Sequence, residues 1–352
     1  MPDRRLIVPA HVTRVRGTNS SLAFRKSVET RDAMMTFDQA TLDSSGVFLI
    51  GELERLDQRL HMPLASVTWA RDIDLREDVS MADEVSSFTN SSFAQAQGVA
   101  GSNKAWVGKD QNAIVGVSLD IGKTGQPLTL WAVQLSWTIP ELQSAQKLGR
   151  PVDAQKFEGM QLKHQMDIDE QVYMGDTALG LNGLFNHSAL ANTGNAVTGG
   201  WGTATPAQIL ADVNSLLTSV WAATGYAVMP NELRLSPTEY SIIVSTLISS
   251  AGNISIKKFL ELNNLASANG QTLNIQPVKW LTGTNNTGKG PTATNSMFAY
   301  VKDPMRVRFP LVPLQRTPLE YRDIRQIVTY FGRLGAVEMV YPEVCGRRSN
   351  LG

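Results

Sequence analysis

Gly175-Asp176 and, shortly after, Gly180-Leu181-Asn182-Gly183-Leu184-Phe185-Asn186 stop a long charged helix and turn the chain sharply. The helix is expected from Pro151 to Met174, with Pro151 in its first turn, where a missing N–H costs nothing. Its apolar residues Phe157, Met160, Leu162, Met166, Ile168 and Val172 cover more than one face, so two sides should be packed. Such a helix is about 36 Å long at 1.5 Å per residue, enough to act as the spine of a thin domain. A helix that ends abruptly before a Gly-Leu-x-Gly-Leu hook carries no reactive constellation and reads as architecture.

Toward the N-terminus, Val67, Trp69, Ile73 and Leu75 suggest extended chain, as do Leu128, Leu130, Ala132, Leu135 and Trp137. Between them lie about fifty residues rich in Ser, Ala, Gly, Gln and Asn, a length that is uncommon for a structureless loop inside a compact domain. A lone two-stranded ribbon is marginal in water. The two readings are a long hairpin supported by another subunit and a disordered loop. Val47 to Leu60 reads as a short helix with Leu49, Leu53, Leu56 and Leu60 at helical spacing, ended by Pro63. Residues 1–46 are polar and irregular. Up to Lys26, Arg4, Arg5, Arg14, Arg16, Arg25 and Lys26 outweigh Asp3, and the segment fits either a solvated tail or an arm laid on a neighbour.

Toward the C-terminus, Thr205-Pro206 opens an amphipathic helix that Gly225 ends. Its stripe is Ile209, Leu210, Val213, Leu216, Leu217, Val220 and Trp221. Leu233 and Leu235 suggest a strand. Ser236-Pro237-Thr238-Glu239 reads as a capping box opening a helix through Ile248. A third helix is expected from Ser255 to Ala268, with Phe259, Leu262 and Leu265 inward, and then a strand with Leu273, Ile275 and Val278. Met305 to Phe309 alternates as a strand, and Pro310, Pro313 and Pro318 suggest an interrupted edge. Gly332-Arg333-Leu334-Gly335 reads as a hairpin turn between two further strands.

Composition bounds the rest. The 352 residues are 42% hydrophobic and 18% charged, with 32 basic against 32 acidic side chains. A dedicated nucleic-acid binder carries a basic surplus, and zero net charge permits dense self-association. The single cysteine, Cys345, excludes an internal disulfide framework and reads as a small packed side chain in a reducing compartment. The N-terminus lacks the apolar region of a secretion signal, and no apolar run approaches the length that spans a bilayer.

Candidate chemistry is thin. Gly283-Thr284-Asn285-Asn286-Thr287-Gly288-Lys289 fits the first seven positions of a phosphate-binding loop, but Gly290 stands where the Mg²⁺-binding hydroxyl belongs, and Pro291 follows where a helix should start. His11, His61, His164 and His187 form no metal-binding spacing, and His164 reads as a partly solvated helix-face residue. The acidic runs Asp72, Asp74, Glu77, Asp78, Asp83, Glu84 and Asp167, Asp169, Glu170 read as solvated faces or as surfaces for the basic arm of a neighbouring copy.

The order of arm, short helix, long hairpin, spine helix, Gly-Asp, hook, helix-rich domain and final strands resembles the major capsid proteins of tailed bacteriophages, whose Hong Kong 97-like fold is shared with encapsulins. The closest local likeness is Trp137-Thr138-Ile139-Pro140-Glu141-Leu142-Gln143-Ser144-Ala145, then the spine helix and the hook. The resemblance implies an α+β fold in five segments. Residues 1–60 are the N-terminal arm and its helix, 61–138 the extended E-loop, and 139–176 the peripheral domain with the spine helix. Residues 177–304 are the axial domain, and 305–352 are return strands of the peripheral domain.

It further implies a self-assembling icosahedral head shell around double-stranded DNA, without sequence-specific binding. The expected partners are other copies in hexamers and pentamers, a separate scaffolding protein, a portal and decoration proteins, with no membrane. The expected location is the virion capsid, assembled in the host bacterial cytoplasm. A separate scaffold is expected because no helical segment precedes the arm. No catalytic, cofactor or metal residue is implied. Some relatives crosslink through E-loop lysines. Lys104, Lys109 and Lys123 lie in that loop and read most simply as solubilising charges. The alternatives are an encapsulin-type compartment for protein cargo and, from another class, a nucleotide hydrolase using the Gly283 loop.

Overall fold

The computed structural model describes residues 65–95, 116–147, 152–249 and 253–352. The arm, the helix at 47–60, Pro151, His11, His61, Lys104 and Lys109 lie outside the described residues.

The chain enters through a one-turn helix α1 (Trp69–Asp72) and strand β1 (Asp74–Arg76). Trp69 is thus helical, where its spacing suggested a strand; the carboxylate of Asp169 accepts the Thr68 and Trp69 N–H groups and holds that turn. Strands β2 (Val85–Gln95) and β3 (Val117–Pro127) pair antiparallel over eleven residues each, the two arms of the expected hairpin. β4 (Thr129–Thr138) and helix α2 (Ile139–Lys147) follow, then the spine helix α3 (Val152–Tyr173). The hook pairs β5 (Gly175–Asp176) with β6 (Leu181–Asn182), and β7 (Asn192–Asn195) comes next.

Helix α4 (Pro206–Ala223) starts at a true capping box, in which Gln208 Oε1 accepts the Thr205 N–H at 2.8 Å. β8 (Glu232–Leu235) leads into α5 (Pro237–Ser245). Two expectations fail here. The Ser236 side chain makes no cap, because Glu239 is drawn into the core toward Asn295, and the helix stops at Ser245 rather than Ile248. The helix expected over 255–268 is two, α6 (Ile256–Leu262) and α7 (Leu265–Ala268). Asn264 splits them: its Oδ1 caps the Ser267 N–H at 2.7 Å and its Nδ2 donates to Leu260 O. The inward residues are accordingly Ile256, Leu260 and Ala266, while Leu262 is exposed.

The remaining strands are β9 (Asn274–Pro277), β10 (Met297–Tyr300), β11 (Val307–Arg316), β12 (Glu320–Arg322), β13 (Arg325–Leu334), β14 (Glu338–Met339) and β15 (Cys345–Ser349). Pro310 and Pro313 do not interrupt β11. It starts between β1 and β14, and a register shift between Val312 and Gln315 absorbs Pro313. The expected turn at Gly332–Gly335 is not a turn. Gly332 lies inside β13, which pairs along its whole length with β4, and β14 crosses to β11 instead.

Two sheets result. One is six-stranded, in the order β1-β11-β13-β12 with β14 on β11 and β4 on β13; the other runs β7-β15-β10-β8-β9. β10 is buried throughout and alternates between two cores. Phe298 and Tyr300 join Trp69, Ile168, Val172, Tyr173 and Phe309, whereas Met297 and Ala299 join the α4 stripe with Leu233 and Leu235. The segment 305–352 is therefore shared: β11 to β14 lie in the six-stranded sheet, and β15 returns to the other. Likewise β1 and β4 belong to the six-stranded sheet, so among the described residues of 61–138 only β2 and β3 form a separate ribbon.

Candidate functional site

The functional surfaces grow from the spine helix. An α-helix leaves its last carbonyls without partners, and the hook supplies them. Leu184 N donates to Val172 O at 2.7 Å, Phe185 N to Tyr173 O at 3.0 Å, and Asn186 Nδ2 to Met174 O at 2.6 Å. Asn186 Oδ1 in turn accepts the Gly183 N–H at 2.8 Å. Gly183 is required because a Cβ there would sit 2.5 Å from the Tyr173 and Met174 backbone. Phe185 then stacks on Tyr173 with ring centroids 5.1 Å apart, both fully buried.

The helix is also welded to distant segments through two carboxylates. Asp169 takes Trp280 Nε1 at 2.7 Å on the oxygen not used by α1, with Lys279 Nζ at 3.0 Å. Asp72 receives Arg234 Nε at 2.9 Å and Arg71 Nε at 2.6 Å on one oxygen and the Tyr173 hydroxyl on the other. Tyr300 OH donates to the Asp72 carbonyl. Arg234 Nη2 also lies 2.6 Å from Glu232 Oε2, a charge contact rather than an aligned hydrogen bond. Burial pushes the Tyr173 and Tyr300 phenols well above their ordinary pKa, so both remain neutral donors. Neither a solvated face nor a surface for a neighbour's basic arm describes these two acids: both are fully buried. The other acids behave nearer to expectation: Asp74 pairs with Lys302, Asp78 with Arg76, and Glu170 with Lys289.

The ribbon presents a surface with no partner among the described residues. Its register sets Phe93 opposite Leu119, Ser91 opposite Ile121 and Val85 opposite Pro127. Residues directly opposite share a face, so Phe93, Val117, Leu119 and Ile121 form one apolar face. They are 74%, 64%, 53% and 62% exposed. Lys123 is exposed on the same ribbon, opposite Thr89.

The catalytic candidates do not assemble. The Gly283 loop turns its N–H groups inward: Gly283 N donates to Asn295 Oδ1, Gly288 N to Gly283 O, and Gly290 N to Thr282 O. Thr284–Asn286 is a single 3₁₀ turn, and Lys289 leans toward Glu170 at 3.4 Å. Cys345 is fully buried, and burial pushes its thiol far up. His164 is not partly solvated but buried, edge-on to Trp131 at 4.6 Å. An open groove of about 770 Å³ lies between the end of α4 and residues 303–306 and 340–344. Among the described residues no group of His, Cys, Asp and Glu is arranged to hold a metal ion.

The sequence profile of the family described as "Major capsid protein" matches residues 103–350, well over half of the chain. The chain belongs to the major capsid protein family. As a capsid protein it is a shell-forming structural subunit with the Hong Kong 97-like fold.

Solved structures agree on that fold. The capsid of Myoviridae phage XM1 superposes with a TM-score of 0.70 at 16% identity, covering 86% of this chain and 98% of that one. Mycobacterium phage Adephagia gives 0.57 at 13% identity, covering 90% and 98%. The capsid of an empty GTA particle gives 0.52 at 10% identity, covering 88% and 98%. No curated protein matches the chain in sequence. The hook and the ribbon's length were legible in the sequence; the two buried welds were not.

Proposed function

We propose that this capsid protein forms the icosahedral head shell of a tailed double-stranded DNA phage, as hexamers and pentamers of itself built with a separate scaffolding protein and a portal. The observation that carries this is the ribbon. Fully burying a side chain such as Phe93 or Leu119 contributes roughly 1.5–3 kcal/mol, and the isolated chain leaves four of them in water on one face. A second copy covers that face and completes the subunit. Residues 1–60 serve as an arm on a neighbour, and the protein works by contact area rather than by catalysis. Balanced charge, 32 against 32, suits a wall that encloses DNA in the host cytoplasm without holding it.

The test is particle formation by the native chain and by Phe93→Ser/Leu119→Ser, followed by sedimentation and negative-stain microscopy. The native chain should give closed particles. The variant should keep its subunit fold and lose at least most of the sedimenting fraction. A compact native monomer at high concentration, unaffected by the double substitution, would refute the reading.

A further inference from the structure

The tip of the six-stranded sheet exposes two arginines that make no ion pair among the described residues. Leu319 to Arg325 is exposed throughout, including Tyr321 at 65% and Ile324 at 62%. Arg322 and Arg325 are Cα partners across β12 and β13. Two like charges directly opposite each other destabilise a strand pair. Arg316, at the end of β11, is exposed farther along the same sheet, opposite Tyr330 on β13. Among the described residues none of these three arginines has a carboxylate within ion-pair distance, although Glu320 and Asp323 belong to the same tip.

The opposite end of the same sheet carries the complement. The turn between β1 and β2 exposes Glu77, Asp78, Asp83 and Glu84. Arg76 holds Asp78 at 2.6 Å, and Ser80 donates to Asp83 at 2.8 Å. Glu77 and Glu84 have no cation partner among the described residues. Glu84 O accepts the Leu128 N–H, next to Thr129, which pairs with Leu334 at the far end of β13 from Arg325. The length of β13 separates the two patches by about 30 Å at 3.3 Å per residue. No arginine side chain spans that distance, so the patches cannot neutralise each other within one chain. Unpaired opposite charges at the two ends of one sheet suit a head-to-tail contact between copies, which builds a ring where the rotation between copies closes.

Resting on the shell reading, we propose that Arg322 and Arg325 of one copy dock on Glu77 and Glu84 of a second copy, with Tyr321 and Ile324 packed beneath the charges. The contact sets which neighbour a copy accepts, because like-charge juxtaposition excludes the reverse docking.

A charge swap on the full chain tests it. Arg322→Glu/Arg325→Glu and Glu77→Lys/Glu84→Lys should each reduce the particle fraction about 10-fold or more while leaving the melting temperature of the subunit unchanged. The quadruple variant, with both pairs reversed, should recover particles. Either double variant assembling like the native chain would overturn the contact. So would a quadruple variant that folds and stays unassembled. Native chain that yields no particles would sink the shell reading and this contact with it, so the two failures are told apart by the unsubstituted control.

Discussion

Arg76 and Glu338, 262 residues apart in the chain, meet with Nη1 3.0 Å from Oε1, and the Glu338 side chain has no exposed surface. Arg308 Nε takes the other oxygen at 2.7 Å, and Ser86 Oγ donates to the first. Arg76 Nη1 also donates to Ser87 O at 2.9 Å. One carboxylate on β14 therefore ties β1, β11 and the root of the ribbon together. A protruding ribbon is useful to a shell only if its root is rigid, and this cluster supplies that rigidity.

Glu338→Ala should destabilise the subunit by about 3–5 kcal/mol, the usual cost of removing one partner from a buried ion pair. Glu338→Gln keeps the shape and one acceptor and should cost less, about 1–3 kcal/mol. Urea unfolding of unassembled subunits measures both. The Ala variant should also expose the 77–95 segment to protease earlier than the rest of the chain. A loss below about 1 kcal/mol would show that the root is held by other contacts.

The hook makes a graded prediction. Gly183→Ala places a Cβ 2.5 Å from the Tyr173 backbone and must break the cap on the spine helix. Its cost should exceed about 3 kcal/mol. Gly180 has φ +68 but open space around it, so Gly180→Ala should cost only the left-handed strain of about 1–2 kcal/mol. Thermal unfolding of the two variants should rank them in that order, and equal losses would refute the steric account.

What the sequence disclosed was local. The spine helix, the α4 stripe with its Thr205–Gln208 box and the hook follow from spacing and cap chemistry over stretches of one element each. The misreadings involve partners far away. Asp72 and Asp169 sit in acidic runs, and nothing nearby in sequence reveals that Arg234 and Trp280 will enclose them. Gly332 and Gly335 looked like a turn because glycine marks turns. Here each makes room for a neighbour: a Cβ on Gly332 would lie 3.1 Å from Val312 O, and one on Gly335 2.4 Å from Pro310. The apolar side of the ribbon is legible only in part, as the alternation of Val117, Leu119 and Ile121 with Ser118 and Asp120, and the register of β2 with β3 adds Phe93 to that side.

Acid should weaken the subunit from near neutral pH. Burial lowers the pKa of His164 and of His187 from the ordinary 6.5, opposed for His164 by Asp167 and for His187 by the Val337 backbone. As pH falls through about 6.5 the unfolded chain takes up protons that the folded one refuses, so stability drops until the folded values are reached. The melting temperature should therefore be lower at about pH 5.5 than at about pH 7.5. His164 Nε2 has no hydrogen-bond partner and the ring packs on Trp131, so His164→Phe should keep the packing and shrink that difference. An unchanged pH dependence in the variant would assign the effect elsewhere.

Glu239 should produce the opposite slope. It is 1% exposed; Oε1 accepts Asn295 Nδ2 at 2.8 Å, and Oε2 has no partner. Burial raises its pKa above the ordinary 4.5, with the Asn295 hydrogen bond working against the shift. Below the ordinary value both states are protonated and the stabilisation is complete. As pH rises, the unfolded carboxyl ionises first, and the stabilisation is lost as pH passes through the folded value. Glu239→Gln keeps an acceptor for Asn295 and can never ionise. The variant should therefore match the native subunit near about pH 4 and exceed it in melting temperature near about pH 8. Because Asn295 also accepts the Gly283 N–H at 2.8 Å, the substitution should leave the 283–290 loop in place, which hydrogen exchange at Gly283 checks. A variant less stable than the native subunit at high pH would mean that the carboxylate is satisfied in the folded state, contrary to its orphaned oxygen.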